Sequence, residues 1–354
     1  MVRVIAEAGV NHNGDRDKAF DLVRVAAEAG ADAVKFQTFN AERLAAMSAP
    51  KASYQRQTTD VLESQLEMLK RLELAEFWHG ELQSYADSLG IVFISTAFDA
   101  QSLAFLQSLD LPFYKVPSGE ITNGPLLLEF ARTGKELIIS TGMSTLAEIE
   151  QALAVVAFGY CRDQAPNSLE EVWRFWSTTD ARNAIEQKVT LLHCTSQYPT
   201  PMNEVNLKAM DTLVGAFGLP VGYSDHTQGI TVPLAAVARG AVVIEKHFTL
   251  DRNLPGPDHR ASLEPDELAT MIRQIRDLEQ AMGNGGKRPQ ASEWDTRQAA
   301  RQQILFSRPV KKGQVITQEA LTTARCGRGI SPMDIWDLIG STAARDYEAG
   351  EVPE

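Results

Sequence analysis

Short apolar, β-branched runs alternate along this chain with longer segments in which apolar residues recur every three to four positions. The runs are VRVIAE (2–7), AVKFQT (33–38), IVFIST (91–96), FYKVPS (113–118), LIIST (137–141), VTLLHC (189–194), PVGYSD (220–225) and AVVIEKH (241–247). Each predicts a strand, and the amphipathic segments 15–29, 75–89, 144–158, 229–239 and 265–282 predict helices. Eight strand-helix units in sequence predict an α/β fold, a closed (β/α)₈ TIM barrel rather than an open sheet. Every run ends in polar or charged residues, and in such a barrel those ends form the catalytic face.

Two segments break the rhythm. Residues 39–74 make a long excursion after the second strand, placed to cover the barrel mouth. Residues 159–187, with Trp173 and Trp176, form an insertion before the sixth strand to which the sequence assigns no chemistry. Beyond the last barrel helix, the Gly-rich and polar stretch 284–302 reads as a linker. The reading is a catalytic barrel over 1–283, that linker, and a small domain over 303–354, too small to be robust without docking against a barrel.

Composition narrows the function classes. A chain of 354 residues, 44% hydrophobic and 23% charged, has the make-up of a soluble globular protein with a sizeable core. Its formal net charge of −12 argues against nucleic acid or an anionic membrane as partner, since both would repel it. No run approaches the roughly 18 apolar residues of a membrane span, and the N-terminus lacks a signal-peptide core, so the cytoplasm is the expected location. Cys161, Cys194 and Cys326 are odd in number and scattered, as reduced packing thiols would be. His193 adjoins Cys194, but neighbours on a strand point to opposite faces, which argues against a nucleophilic pair.

The chemistry concentrates at strand ends. His226 follows the seventh strand and His247 closes the eighth, so adjacent strands bring two imidazoles together. Such a pair suits a borderline divalent ion, with water and substrate oxygens completing its shell; Mn²⁺ fits, and Mg²⁺ or Co²⁺ are compatible. Two separately hydrogen-bonded histidines would look the same in the sequence. Glu245 and Asp225 stand beside them as orienting groups or further ligands. Lys35 and Lys115 lie within apolar runs, where an unpaired ammonium is costly. With Thr96, Ser118, Ser140 and Ser224 they resemble a cradle for a phosphate or carboxylate. The alternative is that the serines merely terminate strands and the lysines pair with Glu7 or Glu120. Glu7 itself reads equally as a proton-handling carboxylate or as an ion-pair partner.

The motifs AEAGVNHNGD, AVKFQTF, STAFD, YKVPSGEITN, STGM, HCTSQYPTP, VGYSDHT, EKHFTLD and GPDHRASLEP occur in this order over nearly the whole chain. Together they resemble the N-acetylneuraminate (sialic acid) synthase family, which includes the legionaminic acid synthases. ISPMDIWDLIGSTAARDY resembles that family's small C-terminal antifreeze-like (SAF-type) domain. The resemblance implies a transferase that condenses phosphoenolpyruvate with an N-acylated amino sugar and releases phosphate. By motif position it implies metal ligation by His226 and His247, proton or water handling by Glu7, and phosphoenolpyruvate binding by Lys35, Thr96, Lys115, Ser118, Ser140 and Ser224. Gln37, Tyr198 and Asp258 would meet the sugar or complete the site, with Glu120 and Ser196 beside them. It further implies a domain-swapped homodimer in which Arg325 reaches the barrel of the other subunit.

Three stretches depart from the family pattern, one of them RQQILF (301–306), which replaces a more usual basic-Ser pattern at the domain junction. Ser196 in HCTS stands where HCTN or HCTT is common, and Arg325-Cys326-Gly327-Arg328-Gly329 replaces RPGNG while keeping the arginine. The sequence favours N-acetylmannosamine as acceptor, with 2,4-diacetamido-2,4,6-trideoxymannose, the acceptor of a legionaminic acid synthase, as alternative. From another enzyme class, a Schiff-base aldolase using Lys35 or Lys115 on the same fold would need neither metal nor phosphate release.

Overall fold

Alternation of side chains along the eight runs explains the architecture. The computed structural model describes residues 1–60 and 63–354; Val61 and Leu62, inside the excursion read above as covering the mouth, lie outside the described residues. The runs form parallel strands β1 (Arg3–Gly9), β2 (Ala33–Thr38), β3 (Val92–Ala97), β4 (Phe113–Val116), β5 (Glu136–Ser140), β6 (Val189–His193), β7 (Val221–Asp225) and β8 (Val243–His247). They hydrogen-bond in the order β3-β2-β1-β8-β7-β6-β5-β4. β3 and β4 lie side by side with no ladder between them among the described residues, so the barrel is nearly closed.

One face of each strand packs outward under the helices, where Val4, Val34, Phe93, Tyr114, Ile139, Leu191, Tyr223 and Ile244 join the main core. The other face fills the barrel. Ile5, Ala33, Ile94, Phe113, Ile138, Leu192 and Val243 form a closed apolar layer inside it. β7 contributes Gly222 to this layer, because a Cβ there would lie 2.4 Å from the Val243 carbonyl oxygen and 2.7 Å from Leu192. Two residues further along every strand the same inward face becomes polar: Glu7, Lys35, Thr96, Lys115, Ser140, Cys194, Ser224 and Glu245. The apolar layer is the floor of the site and the polar layer is its wall.

The helices begin at side-chain caps. Asp15 accepts from the Lys18 N–H ahead of Arg16–Glu28, and Thr145 with Glu148 forms a reciprocal capping box ahead of Leu146–Cys161. The 159–187 insertion is two helices, Leu169–Trp176 and Thr179–Glu186, which bury Val172, Phe175, Trp176, Ala181 and Ile185 in the main core. The excursion carries the short helices Ala41–Leu44, Ser53–Thr58 and Gln65–Leu72.

The chain divides into two units, Met1–Gly283 and Asn284–Glu354. The stretch read as a linker belongs to the second unit and contains the helix Trp294–Ala300. That unit pairs β9 (Gln302–Phe306) antiparallel with β10 (Leu321–Arg325) around Ile304, Phe306, Val310, Ile316 and Tyr347. Phe306 and Tyr347 stack with ring centroids 4.5 Å apart.

Candidate active site

A cavity of about 440 Å³ opens at the C-terminal ends of the strands, within the range that holds small ligands. Of the residues singled out from the sequence, Glu7, Lys35, Gln37, Thr96, Lys115, Ser118, Glu120, Ser140, Ser196, Tyr198, Ser224, His226, His247 and Asp258 all line it. Arg325 lies in the second unit, exposed at the end of β10 opposite Gln302.

The centre of the wall is a buried four-charge cluster. Lys35 Nζ lies 2.6 Å from Glu7 and 3.6 Å from Glu245, and Lys115 Nζ lies 3.3 Å from Glu245. The Lys35 ammonium also donates to Thr96 Oγ1 at 3.1 Å, and Ser224 Oγ donates to Glu245 at 2.8 Å. The two carboxyls are held apart in character. Burial and the neighbouring Glu245 charge push Glu7 up, against the pull of Lys35. At Glu245, burial is outweighed by Lys115, Lys35 and Ser224, which hold it well below the usual carboxylate range. Burial lowers the Lys35 ammonium, but Glu245 and Glu7 more than offset this and keep it protonated.

Glu245 therefore does what the sequence offered to Glu120. Glu120 lines the cavity, but its carboxylate accepts from Asn123 Nδ2 at 2.7 Å and pairs with neither lysine. Asp225 points out of the barrel, into a fully buried pair with Lys246 at 2.5 Å, and does not line the cavity. Glu245 precedes His247 by two residues on one strand, and that same-face spacing was the signal for it.

On the anion side, Ser118 Oγ accepts from the Gly142 N–H at 3.0 Å and contacts Cys194 Sγ at 3.3 Å. A Cβ on Gly142 would meet Ser196 Oγ at 2.3 Å, Ser118 Oγ at 2.8 Å and Cys194 Sγ at 2.9 Å, so the glycine leaves open a cradle that any other residue would fill. Ser140 Oγ is buried with no hydrogen-bond partner among the described residues, free to meet a ligand oxygen. Gly142, in the STGM motif, is the residue that the sequence reading passed over. Cys194 lines the cavity while His193 faces outward, its Nε2 against the Val205 carbonyl at 2.9 Å. Burial pushes the Cys194 thiol up, as expected of a packing thiol.

The imidazoles of His226 and His247 face each other with ring centroids 5.7 Å apart. Burial lowers His226 to about 4 and His247 well below its ordinary value, so both are neutral at pH 7. His226 Nδ1 donates to the Thr195 carbonyl at 2.7 Å, which leaves Nε2 as a lone pair toward the cavity. His247 Nδ1 is buried and unpartnered among the described residues. This donor set fits a divalent ion whose other positions are filled by water or substrate; no cluster of three or more His, Cys, Asp or Glu suited to a metal occurs among the described residues. Tyr198 packs on both rings, 4.1 Å from His226 and 5.6 Å from His247, and Tyr54 of the excursion packs on Tyr198 at 4.9 Å. Asp258, pushed up to about 7 by burial and by Glu7, completes this side.

With the geometry in place, residues 22–287 match the NeuB family and residues 304–352 match the SAF domain. The chain belongs to the NeuB family. Among its relatives, the N,N'-diacetyllegionaminic acid synthase of Campylobacter jejuni is 47% identical over 99% of this chain and 98% of its own length. The enzyme of the same name from Legionella pneumophila is 47% identical over 98% of this chain and 92% of its own length. A solved N-acetylneuraminic acid synthetase from Leptospira borgpetersenii, in complex with citrate, aligns with a TM-score of 0.67 at 32% identity, covering 83% of this chain and 90% of that one. The first unit is thus a NeuB-family (β/α)₈ barrel, followed by a SAF domain. No helix among the described residues is long and apolar enough to cross a membrane.

Proposed function

We propose that this NeuB-family chain is a transferase that condenses phosphoenolpyruvate with 2,4-diacetamido-2,4,6-trideoxymannose and releases phosphate, an N,N'-diacetyllegionaminic acid synthase. The observation that carries the reaction is the single cavity that unites an anion cradle with two neutral, cavity-facing imidazoles. The sequence favours N-acetylmannosamine as acceptor; 47% identity to two legionaminic acid synthases, against 32% to a sialic acid synthetase, supports the diacetamido sugar instead.

Lys35, Lys115, Ser118, Ser140, Ser224 and the Gly142 cradle hold the phosphate and carboxylate of phosphoenolpyruvate, with Thr96 and Ser196 beside them. Lys35 and Lys115 are buried, and fixed charges and donors are most effective away from water. His226 and His247 would hold a divalent ion, Mn²⁺ by preference, whose chemistry when bound is to polarise the acceptor's aldehyde oxygen. Tyr198, Gln37 and Asp258 orient the open-chain sugar so that C3 of phosphoenolpyruvate bonds to the aldehyde carbon and the aldehyde oxygen gains a proton. Water then adds to C2. The C2–O bond to phosphate breaks with its electron pair, the C2 hydroxyl gives its proton to the departing phosphate, and a keto group remains.

Glu7 is the carboxyl placed to move the water's proton. Two neighbouring carboxyls pushed in opposite directions give the protonation roles, Glu245 as fixed charge and Glu7 as shuttle. A Schiff-base role for Lys35 is disfavoured because Glu7 and Glu245 keep its amine protonated, whereas an imine-forming lysine needs a lowered value. Arg325 of a partner subunit would complete the site in a swapped dimer.

Phosphate release from phosphoenolpyruvate with the diacetamido acceptor, measured with and without EDTA, tests the reading. Acceptor-dependent release abolished by EDTA and restored by Mn²⁺ supports it. Chelator-insensitive turnover, or product without phosphate, refutes it.

A further inference from the structure

The barrel half of the cavity is charged and hydroxylic, whereas much of the rest of its lining is apolar. Phe39, Leu44, Met68, Leu69, Leu72 and Phe98 belong to an apolar cluster that stands apart from the main core, and each of them lines the cavity. Five of the six come from the 39–74 excursion. A satellite cluster under a long loop ordinarily packs the loop down. Here it also presents apolar surface to a site whose first substrate is a multiply charged anion. The anion gains nothing from such a wall, because burying a charge or an unpartnered hydroxyl against it is unfavourable. The surface rewards only a ligand with apolar parts of its own.

The excursion's polar groups at the cavity, Tyr54, Gln55 and Gln65, sit beside this wall. Tyr54 reaches the two imidazoles through Tyr198, which ties the excursion to the reaction centre. The wall and the imidazoles thus line one cavity.

We propose that the wall of Leu44, Leu69 and Leu72, with Met68 packed behind it, selects an acceptor whose far end is deoxygenated, seating the C6 methyl and rejecting a C6 hydroxyl. This rests on the reading above that the acceptor is a diacetamido sugar. A methyl gains from leaving water, whereas a hydroxyl in its place finds no partner among these side chains. An apolar pocket rejects an added hydroxyl by up to about a hundredfold, which sets the ceiling on the effect.

The test compares kcat/KM for 2,4-diacetamido-2,4,6-trideoxymannose with that for 2,4-diacetamido-2,4-dideoxymannose, which differs only in its C6 hydroxyl. The full-length enzyme is assayed with saturating phosphoenolpyruvate and Mn²⁺. The expected preference for the 6-deoxy sugar is about 10- to 100-fold. Leu69→Gln should narrow it to under about threefold while the KM for phosphoenolpyruvate stays within about twofold, and Leu69→Met should restore it. Leu44→Gln supplies the same comparison if Leu69→Gln does not fold. A wild-type ratio under about threefold overturns the inference, and so does a larger ratio that persists in the folded glutamine variant. Turnover of N-acetylmannosamine with neither diacetamido sugar accepted would instead overturn the reading on which it rests.

Discussion

Replacing Gly142 by alanine probes the anion cradle with one methyl group. The backbone of Gly142 is not in the left-handed region, so alanine brings no backbone strain. The new Cβ would stand 2.3 Å from Ser196 Oγ, 2.8 Å from Ser118 Oγ and 2.9 Å from Cys194 Sγ. All three side chains must turn away, and the methyl occupies the space where anion oxygens would sit. Hydrogen bonds to a charged group contribute about 1.5–3 kcal/mol each, so losing two costs about 3–6 kcal/mol. Repositioned serines recover part of this, and about 3 kcal/mol, a roughly 150-fold rise in Kd, is the expected outcome for phosphoenolpyruvate. Overpacking of this kind also lowers stability by about 1–3 kcal/mol, leaving a folded protein. Titration calorimetry with phosphoenolpyruvate, alongside thermal melting, separates the two effects. A folded variant that binds phosphoenolpyruvate within about threefold of wild type would refute the cradle.

Other outcomes follow from the same geometry. His226→Ala or His247→Ala should abolish condensation and retain phosphoenolpyruvate binding by calorimetry, since the anion is held elsewhere; loss of that binding would contradict the division of the cavity. Lys35→Met leaves Glu7 and Glu245 with one shared cation and should cost about 3–5 kcal/mol by urea denaturation, less at low pH as Glu7 takes up a proton; an unchanged midpoint would contradict the cluster. Asp258 titrates near 7 in the folded protein against an ordinary 3.8, so between those values the native state binds more protons than the unfolded and its stability falls as pH rises. Asp258→Asn should therefore be the more stable form at pH 8, by up to roughly 4 kcal/mol, with the difference vanishing toward pH 4; a gap independent of pH would exclude this. Arg325→Ala should cut turnover about 100-fold, about 2.7 kcal/mol of transition-state stabilisation, with the barrel still folded by circular dichroism; near-normal activity would remove the swapped arginine from the account.

The barrel was legible because its eight strands carry both of their faces in the sequence. The step from Ile5 to Glu7, or from Val243 to Glu245, is the step from floor to wall, and it recurs on the other strands. Adjacency of the seventh and eighth strands then makes His226 and His247 neighbours. What escaped were groups whose role depends on partners far away in the chain. Lys115 finds Glu245 rather than the nearby Glu120, and Asp225 turns outward to Lys246. The helix Trp294–Ala300 lay hidden in a polar, Gly-flanked stretch because it buries no residue and so shows no apolar period. The acceptor was the least legible feature. The excursion that helps line the cavity has no strand register to say which of its side chains face it.

Comparison of the two acceptors tests the proposed reaction most directly. With phosphoenolpyruvate and Mn²⁺ saturating, kcat/KM for 2,4-diacetamido-2,4,6-trideoxymannose should exceed that for N-acetylmannosamine by about 100-fold or more, with one phosphate released per sugar consumed. Equal or better use of N-acetylmannosamine would contradict it.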